Sequence, residues 1–232
     1  IITGASKGLG FAIAEAFAAD NQPHHFFLCA RNQNGLEEAA QKLGQKQTHH
    51  TMKTYACDIT NKKEVSLFAA WILQQTTRID VLVNNTGSFL PGGIITEAEG
   101  ALETMMNVNL YGAYHLTKAL LPKFVQNQKG HIFNICSTAA LGAYPGGSSY
   151  SISKFALMGF SKNLREELIE HNVKVTTVYP GSFYSDSWKE SNIDPKRIME
   201  TADIANMIYT AAHLSPQACV EEIVLRPQRG NV

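Results

Sequence analysis

Tyr150 and Lys154 stand four residues apart in Tyr150-Ser151-Ile152-Ser153-Lys154, thirteen residues after Ser137, in a chain that opens on a glycine-rich turn. On a helix, positions i and i+4 lie one above the other, about 5–6 Å apart at Cβ, so the phenol and the ammonium project from one face. A phenol titrating near about 10 exchanges protons poorly at neutral pH, and a fixed cation beside it stabilises the phenolate and lowers that value. The pair is therefore suited to proton transfer. A motif this short also recurs by chance as a surface pair, so its meaning rests on partners elsewhere in the chain.

One partner is the turn Thr3-Gly4-Ala5-Ser6-Lys7-Gly8-Leu9-Gly10, which joins a first strand to a first helix. Glycines let the backbone turn tightly and approach a pyrophosphate, while the N–H groups and dipole of the helix N-terminus favour its negative charge. The turn reads as a dinucleotide seat. It is not a triphosphate loop, which needs Gly-Lys followed by Ser or Thr, because Lys7 is followed by Gly8 and Leu9.

The elements that must position these groups follow from hydrophobic patterning. Apolar β-branched and aromatic runs at 26–30, 53–57, 81–84, 131–136, 174–179 and 222–225 read as six strands, with a truncated first strand making seven. Helical patterns lie between them at 10–19, 36–46, 63–75, 101–125, 149–171 and 202–214. Strand-helix alternation with apolar strands implies an α/β protein: a doubly wound, parallel seven-stranded sheet with helices on both faces. Ligands bind such sheets outside the carboxyl ends of the strands, where the strand order reverses, and the motifs fall at those ends. No linker divides the chain, so residues 1–232 are expected to form a single Rossmann-type domain. The irregular stretch at about 182–200 is expected to be a substrate lid.

Bulk properties narrow the class further. Lys+Arg and Asp+Glu are each 20, so there is no net electrostatic pull towards nucleic acid or an anionic membrane. Cys29, Cys57, Cys136 and Cys219 form no Cys-x-x-Cys pair and read as small buried filler. His24-His25 and His49-His50 lack ligand spacing and read as solvated surface residues, so no metal site is expected. No apolar run approaches the ~18 residues of a membrane span, and no signal peptide precedes the first motif, so a cytoplasmic protein is expected. Opening on Ile1-Ile2-Thr3, the first strand is expected to be incomplete.

The glycine spacing Gly-x-x-x-Gly-x-Gly, together with Asn84-Asn85-Thr86-Gly87, Asn109, Ser137, Tyr150, Lys154 and Pro180-Gly181, resembles the short-chain dehydrogenase/reductase family from Thr3 to about Leu225. That resemblance implies a four-residue mechanism. Tyr150 is the general acid or base, and Lys154 lowers its pKa and binds the nicotinamide ribose. Ser137 polarises the substrate carbonyl, and Asn109 interrupts a helix and holds a water that reaches Lys154. It also implies a nicotinamide cofactor seated on Gly4, Ser6, Lys7, Gly8, Leu9, Gly10, Asp58, Ile59, Asn85 and Gly87, with Pro180, Gly181, Phe183 and Ser185 beside the nicotinamide. Family members selecting NAD carry an acidic residue at the end of the second strand. Here Ala30 is followed by Arg31, and Lys7 adds a second cation, which points to NADP(H). Asp58 matches the family's adenine contact, with a helix N-cap as the structural alternative for which Thr60 or Asn61 compete. Ser185 stands for a more usual threonine. Thr86 replaces the usual alanine and adds a hydroxyl beside the cofactor.

The pocket is expected to be lined by Phe89, Ala139, Tyr144, Phe183 and Trp188, for a small carbonyl or alcohol substrate. The tail at 221–227 is similar to that of sepiapterin-reductase-like members, and the general layout to 3-oxoacyl-[acyl-carrier-protein] reductases. Lys189, Lys196 and Arg197 are placed to meet an acidic carrier or a phosphate. An NADP(H)-binding regulator on the same fold is the non-enzymatic alternative. The helices at 101–125 and 149–171 are expected to mediate a homodimer or homotetramer.

Overall fold

The computed structural model describes residues 1–46, 49–184 and 194–231. Seven strands, β1 (Ile2–Thr3), β2 (His25–Ala30), β3 (Thr51–Ala56), β4 (Val81–Asn84), β5 (Gly130–Ile135), β6 (Val173–Pro180) and β7 (Glu222–Leu225), form one sheet. Their order is β3-β2-β1-β4-β5-β6-β7, and every pairing is parallel. The chain runs outwards from β1 to β3, then returns to the other side of β1 with β4. The crevice at this reversal opens at the carboxyl ends of β1 and β4, where ligands of such sheets bind.

The sheet is covered on both faces because its strands are apolar on both. Phe26 and Leu28 of β2 pack with α1 (Gly8–Ala18), α2 (Gln33–Lys46) and α7 (Thr201–Ala212) through Ile13, Phe17, Leu36, Leu43, Ile204 and Ile208. Phe27 and Cys29 face the opposite way, towards α3 (Lys62–Gln75), α5 (Gly112–Asn127) and α6 (Ser148–Leu168), through Phe68, Leu116, Leu120, Leu164 and Leu168. The i, i+4 stripe of Leu9, Ile13 and Phe17 shows why α1 is helical and which face it buries. Each such fully buried aliphatic side chain contributes about 1.5–3 kcal/mol.

Around Asn109, where the family resemblance implied an interruption, the helix at 101–125 is divided into α4 (Ala101–Met106), a π-helical stretch (Asn107–Tyr111) and α5. Three residues depart from the sequence reading. His50 is buried, not solvated: its Nε2 meets the Ala18 carbonyl at 3.1 Å and its Nδ1 accepts the His24 N–H at 3.2 Å. It thereby satisfies an orphan carbonyl at the end of α1. His24 is partly buried and bonds Asp20 at 2.9 Å. Cys29, Cys57 and Cys136 are buried free thiols, whereas Cys219 is only half-buried.

Leu102, Tyr111, Tyr114, Ile152 and Phe155 leave apolar surface exposed on α4, the π-helical stretch, α5 and α6. Among the described residues, no helix is long and apolar enough to cross a membrane. Among the same residues, no group of three or more His, Cys, Asp or Glu could hold a metal ion.

His131 on β5 is a buried titratable group within the sheet. Its Nε2 lies 2.6 Å from Thr176 Oγ1, which itself donates to the Val220 carbonyl, so Nε2 carries the proton. Nδ1 has no partner. Burial, assisted by the Lys174 charge, pushes the imidazole down to about 3. The unfolded chain therefore takes up a proton that the folded chain refuses. The stabilising contribution is present above the ordinary value of 6.5 and is lost as pH falls towards 3. Urea unfolding between pH 7 and 4 should show wild type losing up to about 1.4 kcal/mol per pH unit more than His131→Phe below about pH 6. Parallel pH profiles would contradict this assignment.

Candidate active site

The glycine turn is held open for a ligand by its own backbone. Gly4 and Gly8 adopt φ of 66° and 59°, the left-handed region that favours glycine. Any side chain at Gly10 would overlap the Gly4 carbonyl, so α1 starts directly against the turn. Thr3, which the sequence reading did not single out, locks β1 to β4. Its Oγ1 accepts the N–H groups of Asn85 and Thr86, both at 3.0 Å, while Asn85 Nδ2 donates to the Thr3 carbonyl at 2.8 Å. Thr86 is accommodated because its hydroxyl faces a glycine, Gly4, across the crevice.

Around this turn, Ser6 lies against Gly35 of α2, Lys7 caps α1 in an extended conformation, and Leu9 reaches the cavity described below. Arg31 is exposed directly after β2. Asp58 Oδ1 accepts both the N–H and the hydroxyl of Thr60, at 2.9 and 2.8 Å. The cap of α3 is Asn61, which accepts the N–H groups of Lys63 and Glu64 and donates to Glu64 Oε1. Asp58 is thus not the cap, and these bonds leave its second oxygen unused. The Thr60 N–H foremost, then its hydroxyl and the Arg31 charge, hold the Asp58 carboxyl below the usual range against the opposing effect of burial. Ile59 is buried against Gly112 of α5.

The reaction-centre residues converge at the carboxyl end of β5 and the start of α6. Ser137 caps the single 3-10 turn Thr138–Ala140, with its Oγ accepting the Ala139 N–H at 3.1 Å. The Ser137 hydroxyl and the Tyr150 phenol line the same cavity wall. Three serines fix the first turns of α6. Ser149 donates its hydroxyl to Glu97 at 2.7 Å, Ser151 to the Ala139 carbonyl at 2.7 Å, and Ser153 to the Tyr150 carbonyl at 2.7 Å. Lys154 is buried, its Nζ donating to the Ile135 carbonyl at 3.0 Å and lying 5.7 Å from the Tyr150 ring centroid.

Burial pushes the Tyr150 phenol up to about 12, against the opposing pull of the nearby Ser137 hydroxyl. This differs from the lowered phenol expected from the Lys154 neighbour. The cost of a buried phenolate dominates, and the ammonium is engaged by the Ile135 carbonyl. Burial also lowers the Lys154 pKa.

Asn109 lies on the π-helical stretch, a distortion frequent at functional sites. Its amide accepts the Ser88 N–H at 2.9 Å and donates to the Ser88 carbonyl at 3.1 Å and to Ser153 Oγ at 2.9 Å. Gly87 sits between Asn109 and Lys154. A Cβ there would lie 3.1 Å from Asn109 Oδ1 and 3.2 Å from Lys154 Nζ.

These groups surround a cavity of about 330 Å³ whose lining includes Asn85, Gly87, Phe89, Ser137, Tyr144, Tyr150, Lys154, Pro180, Gly181 and Phe183. The Phe89 ring stands edge-on to Tyr150 at 5.1 Å and to Tyr144 at 6.2 Å. Ala139, expected to line the pocket, is instead buried behind the Ser137 turn, where its carbonyl receives Ser151. Ser185, Trp188 and Lys189, and with them residues 185–193 of the expected lid, lie outside the described residues. Ser88, Thr138, Ser182 and Asn231 also line the cavity and were not anticipated. For Thr138 the signal was adjacency to Ser137; Asn231 has none in its local sequence. A larger surface hollow of about 520 Å³, beside Lys196, Arg197 and Arg229, shares no lining residue with the Tyr150–Lys154 site and has neither phenol nor buried amine.

The family model for short chain dehydrogenases matches residues 1–196. The chain belongs to the short-chain dehydrogenase family. Among its relatives, sepiapterin reductase of Chlorobaculum tepidum is 33% identical over 238 residues, covering 100% of this chain and 97% of that protein. Mouse dehydrogenase/reductase SDR family member 7B is 36% identical over 189 residues, covering 80% of this chain and 58% of its own length. Two solved structures share the fold. A metagenomic short-chain oxidoreductase in complex with NADP has TM-score 0.83 and 29% identity, covering 98% of this chain and 95% of its own. L-sorbose reductase of Gluconobacter frateurii, complexed with NADPH and L-sorbose, has TM-score 0.87 and 26% identity, covering 97% and 93%.

Within this short-chain dehydrogenase, Asn109 ties the Ser88 loop to α6. Asn109→Leu should therefore cost about 1–3 kcal/mol in urea unfolding, because it strips partners from the Ser88 backbone and the buried Ser153 hydroxyl. An unfolding midpoint and slope unchanged from wild type would contradict the assignment.

Proposed function

We propose that this oxidoreductase is an NADP(H)-dependent carbonyl reductase, reversible as an alcohol dehydrogenase, with Tyr150 as its general acid and base. The observation that carries the proposal is the Tyr150 phenol, sharing a cavity wall with Ser137 and with the buried Lys154 Nζ 5.7 Å from its ring centroid, at the strand reversal. A nicotinamide bound there supplies the hydride. The glycine turn fits its pyrophosphate, since Gly4 and Gly8 take up left-handed backbone and the N-terminus of α1 follows at once.

The chain's own residues account for the remaining chemistry. Ser137 and Tyr150 donate hydrogen bonds to the substrate oxygen, orienting and polarising the carbonyl. Tyr150 then transfers its proton to that oxygen, completing an alcohol from carbonyl, hydride and proton. A phenol held at about 12 is in the acid form throughout the neutral range, as reduction requires. The Lys154 ammonium offsets the phenolate left behind. Gly87 keeps Lys154 and Asn109 close enough for proton return through an intervening water.

Phe89, Tyr144 and Phe183 give the cavity aromatic and apolar walls, suited to a small ketone or diketone. The sepiapterin reductase relative supports that class. Arg31 after β2, with no carboxylate at that strand end, supports a 2′-phosphate and hence NADP(H). The complexes of related structures with NADP and NADPH support the same choice.

Nicotinamide fluorescence and turnover against a panel of diketones and ketones test the proposal. Tyr150→Phe should lower kcat by about 10²–10⁴-fold while NADPH affinity stays nearly unchanged. Binding without turnover by wild type across the panel would leave only the regulator reading. Arg31→Asp should reduce the preference for NADPH over NADH by roughly 10- to 100-fold, and an unchanged preference would remove the 2′-phosphate argument.

A further inference from the structure

The tail beyond β7 returns to the reaction centre. Gly230 takes a left-handed conformation with φ of 81° and donates its N–H to the Pro227 carbonyl at 2.9 Å, closing a turn that delivers Asn231 to the cavity. There the Asn231 amide joins two loops far apart in sequence. Its Nδ2 donates to Thr138 Oγ1 at 3.1 Å, and its Oδ1 accepts the Ser182 N–H at 3.2 Å. Thr138 directly follows Ser137, and Ser182 lies between Gly181 and Phe183, so the amide spans from the polarising wall to the wall after β6. Gly181 has a steric reason to be glycine here: a methyl on it would overlap Asn231 Oδ1.

We infer that Asn231 is a positioning residue for carbonyl reduction, fixing the Ser137–Thr138 turn against the Gly181–Phe183 segment and so setting the width of the substrate cavity. The inference rests on the carbonyl reductase reading above. Asn231 is exposed and its two bonds join loop to loop, so their loss leaves the buried core untouched. What it changes is the fit of the carbonyl between Ser137 and Phe183. The amide makes no bond to the glycine turn, so the pyrophosphate seat is untouched, while the Gly181–Phe183 segment that it holds borders the nicotinamide end of the cavity.

The test is a double-mutant cycle on the full chain with NADPH and the best carbonyl substrate of the panel. Asn231→Ala should raise KM for the carbonyl roughly five- to tenfold, the kinetic equivalent of one hydrogen bond. NADPH affinity should change less than the carbonyl KM, because the pyrophosphate seat on the glycine turn is untouched. Thr138→Val, which keeps the side-chain shape and removes the hydroxyl, should reproduce most of the rise, and the double variant should be no worse than Asn231→Ala alone. Multiplying defects would overturn the coupling. A joint fall of kcat, NADPH affinity and thermal stability would show a merely structural tail. Wild-type turnover with an unaltered KM in Asn231→Ala would overturn the inference alone, whereas absence of wild-type turnover would overturn the reductase reading and the inference with it.

Discussion

The constraint on which the site depends is the burial of the Lys154 amine. An ammonium removed from water is costly unless hydrogen-bonded, and its three N–H groups demand acceptors. The chain supplies one in the Ile135 carbonyl, at the end of the strand that leads into Ser137. Space for the head group is kept by Gly87, where a side chain would crowd both Nζ and Asn109. A carbonyl from β5 thus holds the amine, and a glycine after β4 leaves room between it and the Asn109 amide of the π-helical stretch. The geometry of three separate segments is set by the need to accommodate it.

The same economy explains α6, which carries both Tyr150 and Lys154. Its buried positions include Ser149, Ser151, Ser153 and Ser161, residues that are neither strong helix formers nor core fillers. Each hydroxyl has a partner: Glu97, the Ala139 carbonyl, the Tyr150 carbonyl and the Leu157 carbonyl. Ser161 also accepts from Asn134, which in turn accepts from Asn84, itself bonded to Thr117 of α5. A buried polar chain therefore links α5, β4, β5 and α6 beneath the cavity. Apolar packing would tolerate sliding of a helix, whereas directional bonds of this kind specify one position for it. The proposed proton transfer needs that specificity, because a phenol displaced by about 1 Å from its acceptor loses much of its effect.

Much of this was legible in the sequence because it depends on local pattern. Strand and helix alternation follows from apolar periodicity, and β4 and β7 lie where the apolar runs place them. Tyr150 and Lys154 share one face of α6 as helical spacing dictates, whereas Ser137 joins them through the fold, from the end of β5. Legibility ends where a residue's partner is distant in the chain. His50 looks like a loop histidine until α1 brings the Ala18 carbonyl, 32 residues away, to its ring. Asn231 finds Thr138 across 93 residues. Ala139, next to two site residues, points into the protein because the 3-10 turn rotates it away from the cavity. The elevated phenol of Tyr150 was equally hidden, since charge spacing is visible in a sequence but desolvation is not.

The central claim is that Tyr150 and Ser137 together bind the oxygen that gains or loses the proton. A crystal structure of the ternary complex with NADP and a substrate alcohol measures this directly. The account predicts the alcohol oxygen within about 2.6–3.2 Å of both Tyr150 Oη and Ser137 Oγ. An alcohol ordered away from the phenol, for instance in the hollow beside Arg197 and Arg229, would contradict it.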